Sequence, residues 1–180
     1  MSELDSRCLD AFPGWLRLLA EDAVALGAVV LDSEAPEGAR RRSAAAVNYL
    51  FKSLDLVPDG IEDLGYLDDA FVFRAAAALA ASESDAPLAP VLARLAEEAG
   101  LVREFLGGDY ARLEKFVNGL GSVAVRGRTI DAILADGAVR SELASDLRGW
   151  AASYVVPSFG RDAKNLVKLR SFLSTKLPAL

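Results

Sequence analysis

The chain has 180 residues, 52% of them apolar, and a formal net charge of −6, with a sequence pI near 4.8. It has no histidine and a single cysteine, Cys8. Those counts exclude Ser-His-Asp and Cys-His catalysis, the two-histidine iron triad, an intrachain disulfide and a cysteine-held zinc. The acidic average surface opposes a polyanion, so no nucleic acid is expected as a partner.

The apolar content is dominated by Ala and Leu, which favour helix over strand. The expectation is an all-α fold, a single bundle of about seven to nine helices, in one domain over residues 1–180. The alternative, against the single domain, is a subdomain boundary at the Ser-, Asp- and Pro-containing connector 82–90. The start, MSELDSRCLD, lacks the basic and apolar regions of a secretory signal, and no run of about 18 apolar residues occurs. A soluble cytoplasmic protein is expected, without integral membrane insertion.

In chain order, Phe12-Pro13-Gly14 breaks a short first helix, and a core helix carrying Trp15, Leu18, Leu19, Leu26 and Val30 runs from about Gly14 to Leu31. Phe12 and Trp15 are read as core. After Pro36 a helix runs through Arg40-Arg41-Arg42 to Leu54, ending near Asp55 to Val57 because Pro58 cannot continue it. Pro58 suits the first position of a second, short helix, with Asp59, Glu62 and Asp63 near its N-terminus. Gly65 stops it with left-handed geometry. Asp68 and Asp69 open a third helix to about Ala81. Beyond the connector follow a helix over Val91–Leu106, one capped by Asp109 to about Leu120, and a glycine-rich interval lacking the Lys-Ser/Thr ending of a phosphate loop. A short helix at Ile130–Leu134, a longer one over Val139–Val155 and a basic C-terminal helix from Arg161 complete the chain.

Everything else is organised around Tyr49–Ala81. Between Ser53 and Ala70 stand six acids, Asp55, Asp59, Glu62, Asp63, Asp68 and Asp69, and no basic residue. Two readings stand side by side. In one, the carboxylates cap helix starts or pair with Arg74 or with Arg40, Arg41 and Arg42. In the other, Asp55, Asp59, Asp68 and Asp69 converge as hard oxygen ligands for Mg²⁺ or Ca²⁺, without the spacing of an EF-hand loop. Arg40, Arg41 and Arg42, with Lys164 and Lys168 of the C-terminal helix, are candidate contacts for an anionic partner.

The block YLFKSLDLVPDGIEDLGYLDDAFVFRAA resembles the YkvA-like domain of unknown function (DUF1232), over roughly residues 44–81. The resemblance rests on Asp55, Leu56, Pro58, Asp59, Leu64, Gly65, Leu67, Asp68 and Asp69, and marks Pro58, Gly65, Tyr66 and Leu67 as its structural motif. It implies a small helical bacterial domain, often membrane-associated, and names no reaction. Arg74 interrupts the apolar continuation that family members with membrane spans carry.

Three functions follow as expectations, and no catalytic residue is assigned. The first is a non-enzymatic helical interaction or scaffold module with an unidentified protein partner and no cofactor. The alternative is a divalent-metal-dependent enzyme using the clustered aspartates, where the metal would acidify a bound water. The further alternative is a peripheral membrane adaptor acting through the basic C-terminal helix.

Overall fold

The computed structural model of the chain describes residues 1–53, 55–61 and 64–180, and one helix dictates its architecture. α3 (Leu67–Glu83) is buried at every residue from Leu67 to Ala77, Asp68, Asp69 and Arg74 included. A helix without a polar face has to be enclosed. α1 (Glu3–Leu31), α2 (Glu37–Tyr49), α4 (Pro90–Leu106) and α5 (Tyr110–Gly119) pack around it. α6 (Ile130–Ala135), α7 (Gly137–Ser153) and α8 (Ala163–Lys176) complete an all-α bundle with no strand among the described residues.

The buried apolar side chains of these helices form one connected cluster, to which α7 contributes Leu143 and Leu147 and α8 contributes Leu166, Leu169 and Leu173. The stripe of the C-terminal helix is thus packed, and its Lys164 and Lys168 face outward. Phe12 lies 5.3 Å from Phe71 and 5.4 Å from Phe105, centroid to centroid, and Trp15 lies 6.1 Å from Phe71. No helix among the described residues is long and apolar enough to cross a membrane.

Several boundaries differ from expectation, each for a physical reason. α1 runs unbroken through Pro13. An interior proline costs about 3 kcal/mol, but Cys8, Leu9, Phe12, Trp15, Leu16 and Leu19 keep one buried register across it. A capping box between Ser2 and Asp5 starts this helix upstream of the expected break. α2 ends at Tyr49, because Tyr49 itself is drawn into contacts with the head of α3, and the described residues from Leu50 to Tyr66 form turns with no second helix at Pro58. Leu54, Glu62 and Asp63, expected at helical positions, lie outside the described residues. Asp109 does not cap α5 through its side chain, and its Oδ1 instead accepts from Arg112 at 2.9 Å.

Candidate metal centre

The site is built where the chain leaves α2, turns and enters α3. The buried Tyr49 hydroxyl donates to Asp68 Oδ2 at 2.6 Å and accepts from the Leu56 amide at 2.9 Å. The Val57 amide donates to the same Asp68 oxygen at 3.3 Å. One tyrosine at the end of α2 therefore ties the returning turn to the head of α3. Leu56, Val57, Leu64 and Leu67 close the apolar shell below, all buried.

The turn then folds tightly. The Pro58 carbonyl accepts from the Ile61 amide at 3.0 Å, and the Ile61 carbonyl accepts from Leu64 and Gly65 at 3.2 and 3.0 Å. Pro58 thus opens a turn, not a helix. The left-handed residue is Tyr66, with φ 66° and ψ 0°, and it is the residue before α3. Gly65 has a different task from the one its position suggests. A Cβ there would lie 2.3 Å from the Asp59 carbonyl oxygen, so glycine is needed for Asp59 to lie against the head of α3.

The result is a convergence of carboxylates. One oxygen each from Asp59, Asp68 and Asp69 fall within 4.8 Å of one another. Asp59 is at the surface, while Asp68 and Asp69 are buried. Asp55 stands beside them, half-buried. Asp55 Oδ1, Asp68 Oδ1 and Asp69 Oδ2 are all buried and have no hydrogen-bond partner among the described residues.

The electrostatics agree with that geometry. Burial, then repulsion from Asp68 and Asp59, pushes Asp55 up to about 7, with Lys52 opposing. Burial also raises Asp59. Asp69 is pushed well above the usual carboxylate range, by burial first and then by Asp68, Asp59 and Asp55. Burial raises Asp68 against the Tyr49 and Val57 hydrogen bonds, which favour its charged form, as does the Asp69 amide. Without a cation these groups compete for protons.

The arginines expected to relieve this charge go elsewhere. Arg40 donates to the Val30 carbonyl at 3.0 and 3.1 Å. Arg41 pairs with Glu37 and Asp131, Arg42 with Glu83, and Arg74 with Glu98. Among the described residues, the aspartates of the cluster have no basic side chain in an ion pair. The helix-cap reading does not hold at the start of α3, which has no side-chain cap: Asp68 accepts instead from Tyr49 at the end of α2 and from Val57 in the preceding turn. Helical spacing alone groups Tyr49 with Leu50, Phe51 and Leu54 as an apolar face and says nothing of its hydroxyl. A buried tyrosine end beside a run of acids was the available signal.

Neither curated proteins nor solved structures yielded a match to this chain. Residues 41–74, from the middle of α2 to the middle of α3, match the family model described as "Protein of unknown function (DUF1232)". That segment contains Tyr49, Asp55, Asp59, Gly65, Asp68 and Asp69, so the segment that matches this family model is the part that builds the site.

Proposed function

We propose that this protein is a helical divalent-cation-binding module, with Asp59, Asp68 and Asp69 as ligands and Asp55 at their side. The observation that carries the reading is that Asp68 and Asp69, each with a buried and unpartnered oxygen, converge with Asp59. An unpaired buried carboxylate is costly, by several kcal/mol per ion. All-oxygen donors suit hard ions such as Mg²⁺, Ca²⁺ or Mn²⁺. Asp59 at the surface supplies the entry route, and Tyr49 and Val57 hold Asp68 in place as outer-shell donors.

Calorimetric and thermal-shift titration with Mg²⁺, Ca²⁺ and Mn²⁺ tests this. Saturable binding is expected, with a stabilisation of about 2.7 kcal/mol at a hundred times Kd. For a chain of this size that is a rise of about 5–10 °C in Tm. Asp59→Ala and Asp69→Asn are expected to abolish it. Absence of binding by all three ions sinks the reading.

A second reading, capture of an acidic partner protein, is favoured by the outward side of α8. Val167, Lys168, Phe172 and Lys176 line a cleft there, and Val167 is 65% exposed. Partner binding that weakens with salt and is lost with Lys168→Glu would support it, and salt-insensitive binding would oppose it.

A further inference from the structure

The acid cluster meets solvent at Asp59. A cleft of about 490 Å³ lies over it, lined by Lys52, Ser53, Asp55, Asp59, Phe116 and Lys176 among others. Asp59 belongs both to this wall and to the converging carboxylates, so a cation held there abuts the cleft. Asp68 and Asp69 of α3 and Asp59 of the cleft wall would hold the cation, and the remaining positions would be left to oxygens from outside the protein, as is usual for Mg²⁺.

Two cationic side chains stand on the same wall. The Lys52 ammonium lies 4.8 Å from the Phe116 ring centroid and 5.9 Å from that of Tyr49, which fixes it at the edge of the site. Its charge is felt at Asp55. Lys176 reaches the cleft from the last turn of α8. Neither lysine makes an ion pair with a described residue.

The charges decide what fits. Four carboxylates without a cation repel any anion. One divalent ion and two lysines balance them, and the cation and both ammonium groups then face a common space. Lysine binds phosphate as a point charge, and phosphate oxygens are, beside water, frequent outside ligands of Mg²⁺. We propose that the cleft takes the phosphate group of a phosphate monoester, bridging the bound cation to Lys52 and Lys176. This rests on the cation site proposed above, and the soluble or lipid-borne origin of the ester is left to the test.

The experiment is calorimetry of the full chain with inorganic phosphate and with glycerol 3-phosphate, in Mg²⁺ and in EDTA. Sedimentation with phosphatidylcholine vesicles, with and without phosphatidic acid, runs beside it. Wild type is compared with Lys52→Gln and Lys176→Gln, and direct Mg²⁺ titration and Tm are recorded for each. The expected result is phosphate binding only with Mg²⁺, about tenfold or more weaker in each lysine variant, with Mg²⁺ affinity and Tm retained. Binding of the soluble probes marks a soluble ester as the ligand. Binding confined to phosphatidic acid vesicles, with the same Mg²⁺ and lysine dependence, marks a lipid. Mg²⁺ binding without phosphate binding overturns this inference and leaves the cation site standing. So does phosphate binding that persists in EDTA or is indifferent to both lysines. Failure to bind Mg²⁺ at all removes the cation site and this inference together.

Discussion

α3 buries charge at two places, and the two are treated in opposite ways. In its second turn, the fully buried Arg74 pairs with Glu98 at 2.6 Å, donates to the Ala70 carbonyl at 3.0 Å and stacks 3.8 Å from the Trp15 ring centroid. Arg94 joins the same Glu98 and the buried Asp22. Positive and negative charges balance there, although Asp22 Oδ2 and Arg74 Nε lack hydrogen-bond partners. One turn earlier, Asp68 and Asp69, with Asp55 and Asp59, have no basic partner among the described residues. The chain thus neutralises buried charge internally around Arg74, and the unbalanced end of the same helix is the site of the proposed cation.

The sharpest way to break this comparison is to remove one member of each group. Arg74→Ala leaves Glu98 and Asp22 to Arg94 alone and empties the buried place against Trp15, and is expected to destabilise the fold by about 3–5 kcal/mol. Chemical denaturation measures this, and the loss should be the same with and without divalent ions. Asp69→Asn removes charge from a group that has no counter-charge, so the metal-free fold should hold or gain stability while losing its response to cations. Equal destabilisation by both variants would mean that the two clusters are alike.

Gly65→Ala acts on geometry and not on charge. The new Cβ collides with the Asp59 backbone, for an expected cost of about 1–3 kcal/mol, and Asp59 is displaced from its partners. Cation affinity should fall further than the Tm alone would suggest. Unchanged affinity would show that Asp59 is dispensable.

The smallest effect is a pH dependence. Asp55, ordinarily at 3.8, is raised to about 7 in the folded chain. A raised carboxyl contributes stability that is complete below its unfolded value and is lost as pH rises through the folded one. In EDTA the Tm should therefore decline between about pH 4 and 7. Asp146 has the opposite sign, held down chiefly by the Arg128 hydrogen bond. Its contribution is lost only as pH falls below the usual carboxylate range, outside that window. Saturating Mg²⁺ should flatten the decline, because the ion stabilises the ionised form. A Tm that rises with pH in EDTA would contradict the unbalanced cluster.

Local chemistry was enough to read the helical class and to place most helices from α3 onward within a few residues, while the caps at Asp136 and Asp162 emerge from the structure. The clustering of acids and the DUF1232 segment were equally visible. Pro13 misled because its local cost is outweighed by a buried stripe that only α3 and α4 complete. Tyr49 and Gly65 misled for the same kind of reason. Tyr49 reads as an apolar helix position until Asp68, far along the chain, receives its hydroxyl, and Gly65 reads as a helix stop until the Asp59 backbone is laid against it. Which carboxylates meet, which arginines are already taken and where Lys52 and Lys176 stand are matters of distance between separated segments. Sequence by itself determined the helical class and the supply of charge, because propensity and punctuation act over a few residues. Only tertiary structure decided that this charge is buried, convergent and unbalanced, because burial and pairing depend on packing between helices.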